Sequence, residues 1–431
     1  MEGREDIRKI VSRKTNFADS GLPGKARKRL ANLAREPDLS ALERIAANRR
    51  AKIWIVGGAL RDIALGRDVS EIDVAVEGDA GAIAREMESA GRGRAVLLSG
   101  DRRPRVFRVA GRRRTIDLAE IEGGSIESDL ARRDFTANAM AVEIGQRTLL
   151  DPHRGMADLS GRRLRMVSEK NLHDDPLRPL RAARLFATHE LRPDRATSRA
   201  SRLAAPLLAR VPGERIQAEL AKLLEAPRSA PALAWAASTG LLAPAFRVPI
   251  PDSRWRRIAR DSAVLDSAAV RRLSPDRRLR LRLAFLLDRA GLSAPEAAAS
   301  LRRVRWGSAQ AREASRLLEL AERAPAAAVG GDEAWRWLLD AGELAEDALR
   351  LTATLEPRSR SAVARLTARL ARRRPLPDVR GADVLDCARI EPGPEVGRLL
   401  DAVRVEALAG RVRTREEARK WLRAQRPMGS D

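Results

Sequence analysis

Residues 57–78 read GGALRDIALGRDVSEIDVAVEG. The two glycines close the apolar run Lys52-Ile53-Trp54-Ile55-Val56, and the far end of the stretch alternates Glu71, Ile72, Asp73, Val74, Ala75 and Val76. In a β-strand residues i and i+2 share a face, so Glu71, Asp73 and Ala75 point one way while Ile72, Val74 and Val76 point the other. Two carboxylates therefore converge on one side of a sheet. Between the strands a helix is expected to begin near Ala59, with Arg61 about one turn in.

A third acid, Asp117 in TIDLAE, is flanked by Ile116 and Leu118 and again turns away from the face that packs. Three acids from neighbouring strands repel one another unless cations neutralise them, and hard oxygen ligands of this kind suit magnesium. Such a set can hold two metal ions, one activating an attacking hydroxyl and the other steadying a triphosphate. Gly57 and Gly58, having no side chain, let a phosphate approach backbone N–H groups at the start of the helix, where Arg61 could meet it. Separately, a Gly-Gly turn and an edge strand with acids on its wet face are commonplace. The order Gly-Gly, Arg-Asp, acid-x-acid, distal Asp is not.

The chain has 431 residues, enough for two to four packed units. Its formal net charge of +24, from 83 Lys plus Arg against 59 Asp plus Glu, favours a polyanionic partner such as nucleic acid or an acidic membrane surface. A composition rich in both Arg and Ala is the competing explanation. One cysteine, Cys387, excludes an intramolecular disulfide and a Cys-based zinc cluster; it reads as a small buried hydrophobe and fits a reducing cytosol. No apolar run reaches the roughly 20 residues of a membrane span and the charged N-terminus lacks a signal-peptide region, so a cytoplasmic protein without membrane attachment is expected.

Residues 1–40 are polar and basic and read as a flexible arm. From Ala51 short β-type runs follow: KIWIV, EIDVAVEG, PRVFRVA, RRRTIDLAE and MAVEIG. DAGAIAREMESAGRG has the spacing of a helix, an acid at its start and Gly91 as a stop. After about residue 165 strand signals fade and Ala-, Leu- and Arg-rich helical pattern runs to the C-terminus, an irregular helical array without a fixed repeat. The histidines, His153, His173 and His189, are too few for a His-Asp phosphohydrolase, and no Walker-type glycine loop is present. Tyrosine is absent; Trp306, Trp335 and Trp337 read as packing residues of the tail.

The order of motifs resembles the head of the class II tRNA nucleotidyltransferase (CCA-adding enzyme) and bacterial poly(A) polymerase family, within the polymerase-β nucleotidyltransferase superfamily. DLARRDFTANAMAV (129–142) resembles its Arg-Arg-Asp-Phe-Thr motif, DPHRGMADL (151–159) the element joining head to neck, and DDPLRPLRAAR (174–184) the nucleotide-selecting neck helix. ERIQAEL (214–220) resembles the next neck motif, and GADVLDCARIEPGPEVGRLLDAV a tail segment of bacterial members. The resemblance implies an α/β head with a small mixed sheet plus helices (residues 41–165), a helical neck (166–225) and an all-α body and tail (226–431).

The implied activity is magnesium-dependent addition of C and/or A, from CTP and ATP, to the 3′ acceptor end of tRNA, with release of pyrophosphate. Glu71, Asp73 and Asp117 would be catalytic and bind Mg2+. Gly57, Gly58, Arg61 and Arg133 would hold the triphosphate, Asp175 and Arg178 would read the base edge, and Arg181 and Arg184 would meet phosphates. An Asp-plus-Arg pair offers acceptors and a fork of donors, enough to match the edges of C and A without a nucleic-acid template. Spaced by three, Asp175, Arg178, Arg181 and Arg184 make a slowly turning stripe on a helix, and Asp175 before Pro176 also reads as an N-cap.

Three departures mark this chain. Glu71 stands where the family usually has aspartate. Pro179 follows Arg178 directly and, in a helix starting at Pro176, would sacrifice an early hydrogen bond and displace Arg178. The link EIEGGSIES is shorter than the flexible loop of many CCA-adding members, implicated in the switch from C to A, which leaves a CC-only or A-only specialist open. The alternatives are a poly(A) polymerase and a catalytically weakened RNA-binding homologue.

Overall fold

The computed structural model describes residues 22–98, 104–146 and 148–425. The chain divides into two compact units, one of residues 1–211 with 239–241 and the other of 212–238 with 242–431.

The first unit is built on a seven-stranded mixed sheet in the order β3-β4-β5-β2-β1-β6-β7. Its strands are β1 (Lys52–Val56), β2 (Glu71–Glu77), β3 (Arg94–Leu97), β4 (Val106–Ala110), β5 (Thr115–Glu120), β6 (Ala141–Glu143) and β7 (Leu149–Leu150). Among the described strands of this sheet only β2 and β5 run parallel, pairing Asp73 with Asp117. As expected, β2 alternates: Ile72, Val74 and Val76 are fully buried while Glu71 and Asp73 are open. The expected helices also form, one over Gly58–Ala64 directly after the glycine turn and one over Ala80–Ser89, which Asp79 caps by accepting from the Ala82 N–H at 3.0 Å. The edge strand β3 and the short β7 had no expected counterpart, having too few alternating residues to stand out from the surrounding arginines.

Residues 1–21 of the expected arm lie outside the described residues. The rest differs from a loose arm: Gly24–Ala34 and Pro37–Asn48 are helices. Leu30, Leu33, Leu39 and Leu42 are buried, and Arg114 of the head grips Glu36 with two hydrogen bonds of 2.7 and 2.8 Å. The Lys- and Arg-rich outer face of the first of these helices hides an apolar stripe.

Nor does the chain part at residue 165. Thr136 N–H donates to the Arg165 carbonyl at 2.9 Å and Val167 N–H to that of Asp134 at 3.0 Å, so the Arg-Arg-Asp turn and the start of the neck are laced by backbone. The helices Glu169–Asp174, Arg178–His189 and Arg195–Ala204 complete this unit.

The second unit begins with helix Gly213–Glu225, which joins the body instead of the neck. It buries Ile216, Leu220, Leu223 and Leu224, and a Cβ on Gly213 would come within 2.9 Å of the Val304 Cα. Arg282, from the central helix Pro275–Ala290, donates to the Leu224 carbonyl in the last turn of helix Gly213–Glu225. Near the C-terminus Val384, Cys387, Val403, Ala407, Ala418 and Leu422 form a separate small core, with Cys387 buried as expected. Trp337 is fully buried and Trp306 nearly so, both packing residues. No described helix is long and apolar enough to cross a membrane.

Candidate active site

One line of residues crosses the sheet: Arg108, Asp117, Asp73, Val56, Ala141 and Leu150 are successive cross-strand partners, from β4 to β7, and share a face. The apolar half of that face, Trp54, Val56, Ala75 and Ala141, is covered by Ile126 and Leu130 of the helix Ile126–Ala131. The polar half holds Glu71, Asp73 and Asp117. Asp73 has an open edge, yet the atoms packed around its carboxyl strip away enough water to push it above its ordinary range; Arg133 and Arg61 oppose this, and the charges of Asp117 and Glu71 add to it.

The third acid has a partner that the other two lack. Arg108 donates from Nε and Nη2 to both carboxylate oxygens of Asp117, each at 2.8 Å. The expected convergence of three acids on shared metals is therefore not seen: among the described residues no three carboxylates, histidines or cysteines gather around one point. Glu71 and Asp73 accept no hydrogen bond from any described residue, which leaves two hard anionic donors side by side. That donor set fits magnesium, which is commonly held by one or two carboxylates together with substrate phosphates.

The glycine turn abuts this pair. Gly57 has φ 69° and ψ −132°, a conformation side chains avoid, and a Cβ there would lie 2.8 Å from Arg133 Nη1 and 3.3 Å from Asp73 Oδ2. Arg133 reaches this point because its Nε and Nη2 are held by Asp129 Oδ2 at 3.2 and 2.9 Å. Burial alone would raise the Asp129 carboxyl; the charges of Arg133 and Arg132 prevail and lower it.

Arg61 lies beside Gly58 as expected, yet it is only 7 % exposed and mostly spoken for. It donates from Nε and Nη2 to Asp62 at 3.0 and 3.0 Å and from Nη1 to Asn138 at 2.7 Å. Asn138 in turn donates to Asp134 at 3.0 Å, and His189 Nε2 lies 2.8 Å from Asp62. Burial pushes His189 down to about 4, so the ring is neutral at physiological pH. Arg61 is thus a brace beneath the turn.

On the helix Arg178–His189, Arg178, Arg181 and Arg184 form the expected half-exposed stripe opposite buried Leu180, Ala183 and Ala187. Pro179 is its second residue, where no intrahelical N–H is needed, so the expected lost bond and displaced Arg178 do not arise. Asp175 is not the N-cap; it makes a turn, its carboxylate accepting from Leu177 N–H at 3.3 Å and its carbonyl from Arg178 N–H at 3.0 Å. Arg178 Nη1 donates to the carbonyls of Arg132 (2.8 Å) and Asn171 (3.1 Å). Asn171 Nδ2 holds those of Ala131 and Arg133 at 2.8 and 2.7 Å. Together they fasten the carbonyls of residues 131, 132 and 133, which aims Arg133. Arg181 meets Asp134 at 3.2 Å.

Sequence reasoning missed Arg108, Asp129 and Asn171. Asp129 stands four residues before Arg133, a helix-pair spacing that could have flagged it. Arg108 and Asn171 carry no local signal.

Residues 53–165 match the Poly A polymerase head domain family, and residues 190–252 match the family described as "Probable RNA and SrmB-binding site of polymerase A". A CC-adding tRNA nucleotidyltransferase of Geobacter sulfurreducens is 31% identical over 422 residues, covering 91% of this chain and 96% of that protein. One from Synechocystis sp. is 42% identical over 189 residues, 44% of this chain and 45% of the relative's length. The crystal structure of a Bacillus stearothermophilus CCA-adding enzyme in complex with CTP aligns with TM-score 0.67 at 25% identity, over 90% of this chain and 98% of that one. Because the Geobacter match runs through head, neck and helical body alike, the chain belongs to the tRNA nucleotidyltransferase family.

Proposed function

We propose that this chain is a cytoplasmic, magnesium-dependent nucleotidyltransferase that adds C, and of the possible sets only C-C, to the 3′ acceptor end of tRNA. The observation that carries the chemistry is the pair of exposed carboxylates, Glu71 and Asp73, on one face of β2, with a glycine turn set against Asp73 and Arg133. In the reaction the RNA 3′-hydroxyl attacks the α-phosphate of CTP and pyrophosphate leaves. Glu71 and Asp73 would hold Mg2+, whose charge offsets that of the phosphates and favours the hydroxyl as nucleophile. Glu71 is one methylene longer than aspartate and remains an anionic oxygen ligand.

This chain's own residues do the rest. The backbone N–H of Gly58 and the Arg133 guanidinium receive the triphosphate, Gly57 N–H being spent on the Met140 carbonyl at 3.4 Å, and Arg61 keeps the turn in shape. Asp117 faces the hydroxyl and aligns it. Asp175 and Arg178 present acceptor and donors to the base edge, while Arg181 and Arg184 line the same stripe. Basic charge spread beyond the head suits a partner gripped through phosphates.

Restriction to C rests on the link after β5. Strand β5 ends at Glu120 and the next helix starts at Ile126, so only Ile121–Ser125 intervene where many CCA-adding enzymes resemble one another in a longer loop. The full-length similarity to a CC-adding protein agrees with this. The test is incubation with Mg2+ and labelled CTP or ATP on tRNAs ending before CCA, after CC, or complete. Two C residues and a stop are expected. A added after CC replaces this reading with CCA or A addition, long A-tracts on unrelated RNA with a poly(A) polymerase, and no incorporation with an RNA-binding homologue.

A second expectation concerns the turn. Gly57→Ala forces a Cβ onto Arg133 and Asp73 in a backbone region worth about 1–3 kcal/mol of strain. KM for CTP should rise on the order of tenfold to a hundredfold at about 1.4 kcal/mol per decade. Unchanged CTP affinity in equilibrium binding would remove the turn from the nucleotide site.

A further inference from the structure

The row Arg108, Asp117, Asp73 sets a guanidinium at one end and two carboxylates as direct neighbours inside it, with Glu71 two residues along β2. Arg108 comes from β4, the side of Asp117 away from Asp73, and binds both Asp117 oxygens in a fork, the geometry in which an Arg–carboxylate pair is strongest. Glu71 and Asp73 have no such donor. Arg133 and Arg61, whose charges also reach Asp73, are already paired, with buried Asp129 and with Asp62 respectively. We propose that Arg108 is the positioning residue of this face: it ties Asp117 out of the ligand set, so that Glu71 and Asp73 alone take a divalent cation.

The charge balance supports this partition. With all three acids ionised and Arg108 paired to one of them, the face keeps two negative charges, which a single divalent cation neutralises. Without Arg108 it would keep three, and Asp117, set beside Asp73 by the parallel register, would be free to join as a further ligand. A bidentate guanidinium also fixes the plane of the carboxylate, so Asp117 meets an incoming hydroxyl in one orientation. The inference rests on the assignment of this face as catalytic and goes beyond it by giving Arg108 the role of keeping Asp117 out of the ligand set.

The test uses Mn2+ as the probe, with free ion counted by electron paramagnetic resonance in a titration of the full chain without nucleotide. Wild type should bind one Mn2+ at this face, Asp73→Asn should lose it, and Asp117→Asn should bind it within about threefold of wild type. Arg108→Gln frees Asp117 and should tighten Mn2+ binding about tenfold or admit a second ion, while kcat falls and KM for CTP stays the same. The double variant Arg108→Gln/Asp117→Asn should return to wild-type binding. Arg108→Lys, which keeps the charge but not the fork, should fall between.

A loss of function caused only by damaged packing would lower affinity, not raise it. Unchanged Mn2+ affinity in both Arg108 variants, or loss of binding in Asp117→Asn, overturns the role given to Arg108. Wild-type binding in Asp73→Asn instead overturns the catalytic face itself.

Discussion

Asp73→Asn is expected to lower nucleotide incorporation about 1,000-fold or more while leaving the protein at least as stable as wild type. The loss follows from removing one of only two open carboxylates: several kcal/mol of charge stabilisation, at about 1.4 kcal/mol per factor of ten, amounts to about that much. The stability follows from the direction of the Asp73 shift. Its carboxyl lies above the ordinary value of 3.8 in the folded protein because burial and the neighbouring acids disfavour the anion. A raised carboxyl binds its proton more tightly folded than unfolded, so ionised Asp73 destabilises the fold above its folded pKa, and the penalty fades as pH falls through that value towards the unfolded one. Asparagine has no charge to bury. Single-turnover CTP incorporation and a thermal melt at pH 7 check both halves. Activity within tenfold of wild type, or a clearly lowered midpoint, would count against the account.

How far the sequence reveals this site depends on the range of each interaction. The alternation at Glu71 and Asp73 is local, with period two, and so is the Gly-Gly turn before a helix; both are legible and both form. The partnership of Asp73 with Asp117 is a parallel register across some forty residues of chain, and nothing near either acid specifies it. Arg108 is harder still, one arginine in a chain with 83 Lys plus Arg, distinguished only by its place opposite Asp117. The same excess of basic residues disguised Leu30, Leu33 and Leu39 as parts of a loose arm. Pro179 misled in the other direction: its meaning depends on whether the helix starts at Pro176 or Arg178, and helix starts are specified to within a residue or two at best. The helical body was legible as a class, but its internal supports were not, because a buried arginine and a solvated one look alike in sequence.

Arg282 is the strongest case, and Arg282→Leu is expected to destabilise the second unit by about 5 kcal/mol. The side chain is 0 % exposed in the middle of helix Pro275–Ala290. Its Nη1 donates to the carbonyls of Leu224 (2.7 Å) and Ala226, and its Nη2 to those of Pro227 (3.2 Å) and Leu265 (3.0 Å) and to Asp266 Oδ1 (2.9 Å). Nε alone lacks a partner among the described residues. Burial lowers the guanidinium to about 10, still charged at neutral pH. Replacing a buried ion pair by apolar residues is often harmless when both partners go. Here the acceptors are mostly backbone carbonyls that no substitution removes, so each is left unsatisfied at about 1–3 kcal/mol. Asp266 keeps Ser229 N–H and Ala230 N–H, at 3.0 and 3.0 Å, and is not the main loss. Leucine recovers some apolar burial, which is why the estimate stays near the low end of the sum. At about 2–4 °C per kcal/mol for a unit of this size, the unfolding transition should drop by roughly 10–20 °C in calorimetry. Arg282→Lys, one compact ammonium in place of a fork, cannot reach all the carbonyls and should recover less than half of that drop. Faster hydrogen exchange at the end of helix Gly213–Glu225, where the freed carbonyls lie, should accompany it. A midpoint within about 3 °C of wild type for the leucine variant would mean that water or a shifted neighbour supplies the missing donors.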